Sequence, residues 1–242
     1  MNESIRARLS SYLELLALHR GEAREAYDRV GATYDDFVAV WDKHIAAPAL
    51  AHFNRIVEQR IKPGAHVLDA GAGTGERTRV LLEHAEPGEI IALDASEVML
   101  EVAASKVDDP RVRFMKGDIA ELPFEDDTFD AVASTWVVEI LDEPRRAVEE
   151  FVRVIKPDGF AVYAFCSLPE GAAGKVLKYV IGRATSHDNP LTHLLTEEER
   201  PFHECQYSSL QQFAGGLTTV ATVGKCCSIM DSELPCRFEI TT

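Results

Sequence analysis

A chain of 242 residues with 46% hydrophobic and 27% charged side chains is long enough for one domain with a large core. It carries 40 acidic against 25 basic side chains, a formal net charge of −15, which argues against a polyanionic partner such as nucleic acid. No apolar run is long enough for an integral membrane segment, no basic-then-apolar leader opens the chain, and five cysteines without a C-x-x-C pair read as free thiols, so a cytoplasmic protein is expected.

Ile5, Leu9, Tyr12, Leu13 and Leu16 recur at helical spacing and predict an amphipathic first helix. Its polar face mixes Arg and Glu, which suits packing on a domain better than lying on a membrane. Beyond Gly21 a second helical stretch runs from Glu22 to about Val30, and residues 37–60 continue helical up to Lys62-Pro63-Gly64. That Pro-Gly pair punctuates the entry to the first strand. Residues 1–62 therefore read as a helical N-terminal cap and 63–242 as the main domain.

The main domain opens on His66-Val67-Leu68-Asp69-Ala70-Gly71-Ala72-Gly73-Thr74-Gly75. This reads as a buried strand, a tight glycine turn and a helix start near Thr74. Alternating glycines permit positive φ and close approach of a ligand, and the helix start presents free N–H groups to it. Such a turn places a nucleotide-like ligand at the carboxyl edge of a parallel sheet. Its spacing is G-x-G-x-G, not the dinucleotide fingerprint G-x-G-x-x-G.

Glu76 to His84 then forms a short helix stopped by Pro87-Gly88, and Glu89 to Leu93 a second strand. Asp94 ends that strand, where a carboxylate can accept both hydroxyls of a ribose. Ser96 caps the next helix, with Glu97 in its first turn. Met99, one turn in, either touches an adenine ring or fills core. Arg111 to Lys116 is the third strand, leading to Gly117-Asp118-Ile119. The polar run Leu122 to Asp130 feeds a fourth strand, Phe129 to Ser134, which exits through Thr135, Trp136 and Glu139 at the same edge. Pro144 starts a helix whose apolar stripe is Ala147, Val148, Phe151, Val152 and Ile155. A turn at Arg153–Gly159 precedes a fifth strand, Phe160 to Phe165. From 168 to 216 the pattern loosens into a lid insertion above the site. Leu217 to Ile229 and Cys236 to Thr242 read as a C-terminal antiparallel hairpin.

Three phrases carry a family resemblance. Tyr27-Asp28-Arg29-Val30 through Tyr34-Asp35, the D-x-G-x-G-x-G turn at Asp69, and Leu122-Pro123-Phe124-Glu125-Asp126-Asp127-Thr128-Phe129-Asp130 resemble the class I S-adenosylmethionine-dependent methyltransferases. Within that class they are similar to the type 11 and quinone-biosynthesis-like small-molecule enzymes. Arg153-Val154-Ile155-Lys156-Pro157-Asp158-Gly159 resembles the family's R-x-L-K-P-G-G turn, with Asp158 a mild departure. The resemblance runs from Tyr27 to about Phe165.

It implies an α/β fold, a Rossmann-like doubly wound, mostly parallel seven-stranded sheet with an antiparallel C-terminal hairpin. It also implies S-adenosyl-L-methionine as cofactor, a small-molecule acceptor and no metal. The cofactor cradle it implies is Tyr27, Tyr34, Asp69, Ala70, Gly71, Gly73, Thr74, Gly75, Asp94, Ala95, Met99, Asp118, Ile119, Thr135 and Trp136. Asp118 would accept from the adenine amine and Ile119 would supply the adjoining N–H, while Tyr27 and Tyr34 either close the site or pack in the core. Glu139 is the candidate catalytic residue, as base or acceptor-orienting group, with a helix-cap role as its alternative. Residues 63–165 hold ten basic and 22 acidic side chains, a sign that suits a cationic sulfonium ligand.

Other classes fit less of the chain. A nicotinamide-dependent oxidoreductase is opposed by the glycine spacing and the Leu122–Asp130 phrase. A methyltransferase-like binding or regulatory subunit is opposed by intact glycines and Asp94. Cys166, Cys205, Cys226 and Cys227 would allow thiol-assisted methylation of a soft metalloid, but their positions do not match the arsenic methyltransferases. His187, His193, His203 and Glu204 fit no tight zinc spacing. Acceptor and oligomeric state are not written in these patterns.

Overall fold

A computed structural model describes residues 34–86, 88–167, 208–225 and 239–241. The first two helical stretches, Tyr27 and the lid segment 168–207 lie outside the described residues. The described chain begins with helix α1, Tyr34–Trp41, a π-helical turn, Asp42–Ala46, and helix α2, Ala47–Arg60. Pro48 lies in the first turn of α2. It has no N–H to give, which is where a regular hydrogen-bond ladder slips register.

The α/β core follows with β1 His66–Ala70, α3 Glu76–Ala85, β2 Glu89–Asp94, α4 Glu97–Lys106, β3 Val112–Lys116, β4 Phe129–Thr135, α5 Pro144–Val154 and β5 Ile155–Cys166. The chain closes with β6 Ser208–Phe213, β7 Thr218–Gly224 and the three-residue edge strand β8 Glu239–Thr241. The sheet order is β3-β2-β1-β4-β5-β7-β6-β8. From β3 to β5 neighbours run parallel, and β7 is antiparallel to both β5 and β6. The mostly parallel, Rossmann-like sheet expected from the sequence is therefore present.

Three details differ from the sequence reading. The antiparallel partner of β7 is β6, a segment assigned to the lid; the turn between them, Ala214–Gly216, has positive φ at all three residues. Ser-Ser-Leu-Gln-Gln-Phe is too polar to read as a strand, and Leu210 is the one buried side chain among its described residues. The last strand, β8, pairs parallel with β6 and makes no hairpin with β7. Finally, β5 starts at Ile155, and the Lys-Pro-Asp-Gly turn is an irregularity within it: Phe129 pairs with Ile155 but Ala131 with Phe160.

Side chains alternate across the sheet and build two cores. Leu68, Val132, Ala161, Tyr163 and Phe165 join Phe151 of α5 on one face. Val67, Ala131, Ala133, Phe160, Val162 and Ala164 join Phe53 and Val57 of α2 and Leu81 of α3 on the other. Covered on both faces, β4 and β5 read as near-continuous apolar runs.

The Leu122–Asp130 phrase is explained by fold rather than by chemistry. Arg153 donates through Nη1 to Phe124 O at 2.7 Å, through Nη2 to Leu122 O at 3.0 Å, and through Nε to Glu150 at 2.7 Å. Asp130 accepts from the His66 N–H at 2.8 Å and from Lys156 Nζ at 2.8 Å, tying the start of β4 to β1 and β5. Lys225 joins from below, through Asp127 and Arg153 O. Arg153→Met removes this brace and leaves carbonyls without a donor. It is expected to lower stability by about 1.5–3 kcal/mol, read as a lower urea midpoint with unchanged far-ultraviolet circular dichroism. An unchanged midpoint would mean that the loop holds itself.

Candidate functional site

The carboxyl ends of β1, β2, β3 and β4 meet at one cavity of about 650 Å³. The turn after β1 is stitched to the end of β2: Gly71 N–H and Ala72 N–H both donate to Leu93 O, at 2.8 and 2.9 Å, and Gly73 N–H donates to Asp94 Oδ2 at 2.8 Å. Gly71 has φ +79°, and a Cβ there would lie 2.4 Å from a methyl of Val137, so the exit of β4 closes directly onto the turn. Gly73 has φ +52°, and nothing lies within 4 Å of where its Cβ would be. A side chain there would project into the cavity.

Asp94 is half-buried at the cavity wall, and its Oδ1 accepts from Ser96 N–H at 2.8 Å. Ser96 caps α4 by accepting from Met99 N–H at 3.2 Å, which sets the buried Met99 against the cavity. Beyond β3, Asp118 Oδ1 accepts from Ala120 N–H at 2.8 Å, a local turn that carries Ile119 into the wall. Trp136 follows β4 at φ +60°, uncommon for a bulky residue and found most often at functional sites. Its ring meets Trp41 edge-on, with centroids 6.3 Å apart.

Of the residues expected at the site, Gly71, Gly73, Thr74, Asp94, Ala95, Met99, Asp118, Ile119, Thr135 and Trp136 line this cavity together. Asp69, Ala70 and Gly75 lie behind the turn, outside the lining. The structure describes the backbone of Tyr34 in α1 but not its side chain. Glu139 departs most from its expected place. It falls in a short 3₁₀ turn, Val138–Ile140, is 2% exposed, and lies outside the cavity lining. Its Oε1 accepts from Cys166 N–H at 3.0 Å, fastening the end of β5. Burial and the Glu139 carboxylate push the Cys166 thiol well above its ordinary pKa, so it is no ready nucleophile. The other cysteines and the His187, His193, His203 and Glu204 group lie outside the described residues.

Sequence reasoning missed Asp42 and Arg77, which also line the cavity. Neither belongs to a recognisable phrase: Asp42 enters through the π-helical turn, and Arg77 through the first turn of α3. Asp35 was missed as well. It accepts from Thr74 Oγ1 at 2.6 Å and pairs with Lys106, bracing α1 against the glycine turn and α4.

The comparisons with known proteins agree with this geometry. A family model described as a methyltransferase domain matches residues 68–163. Over those residues the chain is similar to that family. A demethylmenaquinone methyltransferase from Clavibacter sepedonicus is 33% identical over 156 residues, 62% of this chain and 63% of that protein. The chain spans less than two thirds of the length of the first curated relatives it matches. A chain from a Haloferax volcanii complex between a methyltransferase activator and a candidate methyltransferase aligns with a TM-score of 0.64. That alignment covers 81% of this chain and 96% of the other at 20% identity, and it shows a shared fold. A candidate methyltransferase from Bacillus halodurans is 27% identical, with a TM-score of 0.50 over 58% of this chain and 62% of its own.

Behind the glycine turn, Asp69 is completely buried and accepts from Thr78 Oγ1 at 2.6 Å. Burial pushes its pKa up to about 6, against the opposing pull of Thr78 and Arg77. The folded state thus holds the Asp69 proton more tightly than the unfolded chain does. That contribution to stability is complete below the unfolded value near 3.8 and is lost as pH climbs through about 6. The loss is about 3 kcal/mol. Asp69→Asn keeps an acceptor for Thr78 without the charge. Between pH 4 and 7 the parent is expected to lose about 2 kcal/mol relative to this variant, measured by urea unfolding at both pH values. Parallel pH profiles would show that Asp69 is charged without cost.

Proposed function

We propose that this protein is an S-adenosylmethionine-dependent methyltransferase acting on a small-molecule acceptor. The observation that carries the reading is the joint presentation of Gly73, Asp94 and Asp118 by three consecutive strand ends, around one cavity. A glycine whose Cβ would point into the cavity, a ribose-matching carboxylate tied to it, and a second carboxylate one strand further suit a nucleoside laid across β1, β2 and β3. The match to relatives named as demethylmenaquinone methyltransferases supports the small-molecule acceptor. The 63–242 domain and its helical cap belong to the same proposal, with α1 contributing Val38 to the cavity wall.

Bound S-adenosylmethionine would supply an activated methyl on a sulfonium for in-line displacement. The chain's own residues provide position and shelter. Asp94 would hold the ribose, Met99 and Ile119 would flank the base, and Asp118 would accept from its amine. Val137, Ile140 and Leu141 give the neighbouring wall an apolar character, which keeps water from competing. Glu139 acts as a positioning residue: by holding Cys166 N–H it fixes β5 beside the exit of β4.

Asp94→Ala is expected to weaken S-adenosylhomocysteine binding about 10–100-fold while the protein stays folded, measured by calorimetry and thermal melting. NAD is expected not to bind the parent. Binding of NAD without S-adenosylhomocysteine would contradict the function, and an unchanged dissociation constant in Asp94→Ala would remove that residue from the site.

A further inference from the structure

We infer that α1 is a movable strap over the cavity, latched by an Asp35–Lys106 ion pair that salt loosens. What the strap retains, S-adenosylmethionine or its demethylated product, rests on the cofactor reading above. The two helices of the cap are anchored differently. Helix α2 buries Ala49, Phe53 and Val57 in the core. In α1 the described side chains of Asp35, Val38 and Trp41 are half-buried, that of Ala39 is exposed, and none is fully buried. A segment with few buried apolar contacts opens at low free-energy cost. The π-helical turn Asp42–Ala46 stands between the two helices, and a break of this kind in the hydrogen-bond ladder is where a helix bends. Helix α1 can therefore swing while α2 stays in place.

What holds α1 down is polar. Asp35 accepts from Thr74 Oγ1 at 2.6 Å and pairs with Lys106 at the end of α4. One carboxylate thus joins α1 to the glycine turn and to the helix after β2. Thr74 is 3% exposed and lines the cavity, as do Val38 of α1 and Asp42 just beyond it. Lifting α1 uncovers this end of the cavity. The Asp35 and Lys106 side chains are 43% and 30% exposed, and an ion pair so open to solvent is weak and screened by salt. A latch of that strength holds a ligand and still releases it. Trp41 of α1 meets Trp136 of the cavity wall edge-on, and these are the chain's two tryptophans. Intrinsic fluorescence therefore reports the position of the strap.

The test needs no acceptor. Lys106→Met removes the ion pair at a partly exposed site, Asp35→Asn removes the charge but keeps an acceptor for Thr74, and Lys106→Arg keeps the charge. In the ligand-free protein, Lys106→Met and Asp35→Asn are expected to speed hydrogen exchange of the α1 amides about two- to fivefold. They should also increase acrylamide quenching of tryptophan fluorescence and leave α2 and α3 amides unchanged, while Lys106→Arg matches the parent. Raising potassium chloride from about 0.01 to about 1 M is expected to bring the parent to the Lys106→Met values and to leave that variant unmoved. Stopped-flow fluorescence is expected to show S-adenosylhomocysteine leaving Lys106→Met about two- to fivefold faster than the parent. Exchange that rises equally in α1, α2 and α3 would make Lys106 a general brace and overturn the strap. Parent-like α1 exchange and quenching in Lys106→Met would overturn it too, as would an unchanged release rate with a loosened α1. A parent that does not bind S-adenosylhomocysteine would overturn the cofactor reading, and the ligand-free measurements would still decide the strap.

Discussion

The hydrogen bonds from the glycine turn to the end of β2 organise this molecule. Leu93 O takes two turn N–H groups, and the Asp94 carboxylate takes a third from Gly73. Strand β1 cannot run on past Ala70, because the chain is drawn sideways across β2. That detour needs positive φ at Gly71 and Gly73, and it opens the space that becomes the cavity. It also fixes Asp94 in one orientation before any ligand arrives. Pre-set polar groups of this kind recognise a ligand with less ordering cost than mobile ones.

Around this turn, charged residues divide into two kinds of work. Asp130, Glu150, Arg153 and Lys156 stitch loops at the amino-terminal end of the strands, where no ligand is expected. Asp42, Arg77, Asp94 and Asp118 face the cavity at the opposite end. The Leu122–Asp130 phrase, the most family-specific stretch of the sequence, belongs to the first kind. Its value for recognition comes from a structural requirement: two backbone carbonyls, of Leu122 and Phe124, converge on one guanidinium.

The same division explains what could be read in advance. The glycine turn, Asp94 and Asp118 were legible because each follows a strand directly, so position in sequence fixes position at the sheet edge. Glu139 was placed on the same logic, but a 3₁₀ turn intervenes and rotates it inward to Cys166 N–H. Asp42 and Arg77 sit on helices remote from one another in sequence. Only the packing of α2 against α3 brings them to one cavity, and no local pattern announces that. The β6 strand escaped for another reason. A polar segment with one buried leucine among its described side chains lacks the alternation that marks a strand, and its pairing with β7 is decided by a partner, not by propensity.

A co-crystal structure with S-adenosylhomocysteine tests the central claim most directly. Density for the nucleoside is expected in the 650 Å³ cavity, with ribose hydroxyls on Asp94 and the base beside Asp118 and Ile119. Ordered ligand anywhere else in the molecule, or a ribose turned away from Asp94, would contradict it.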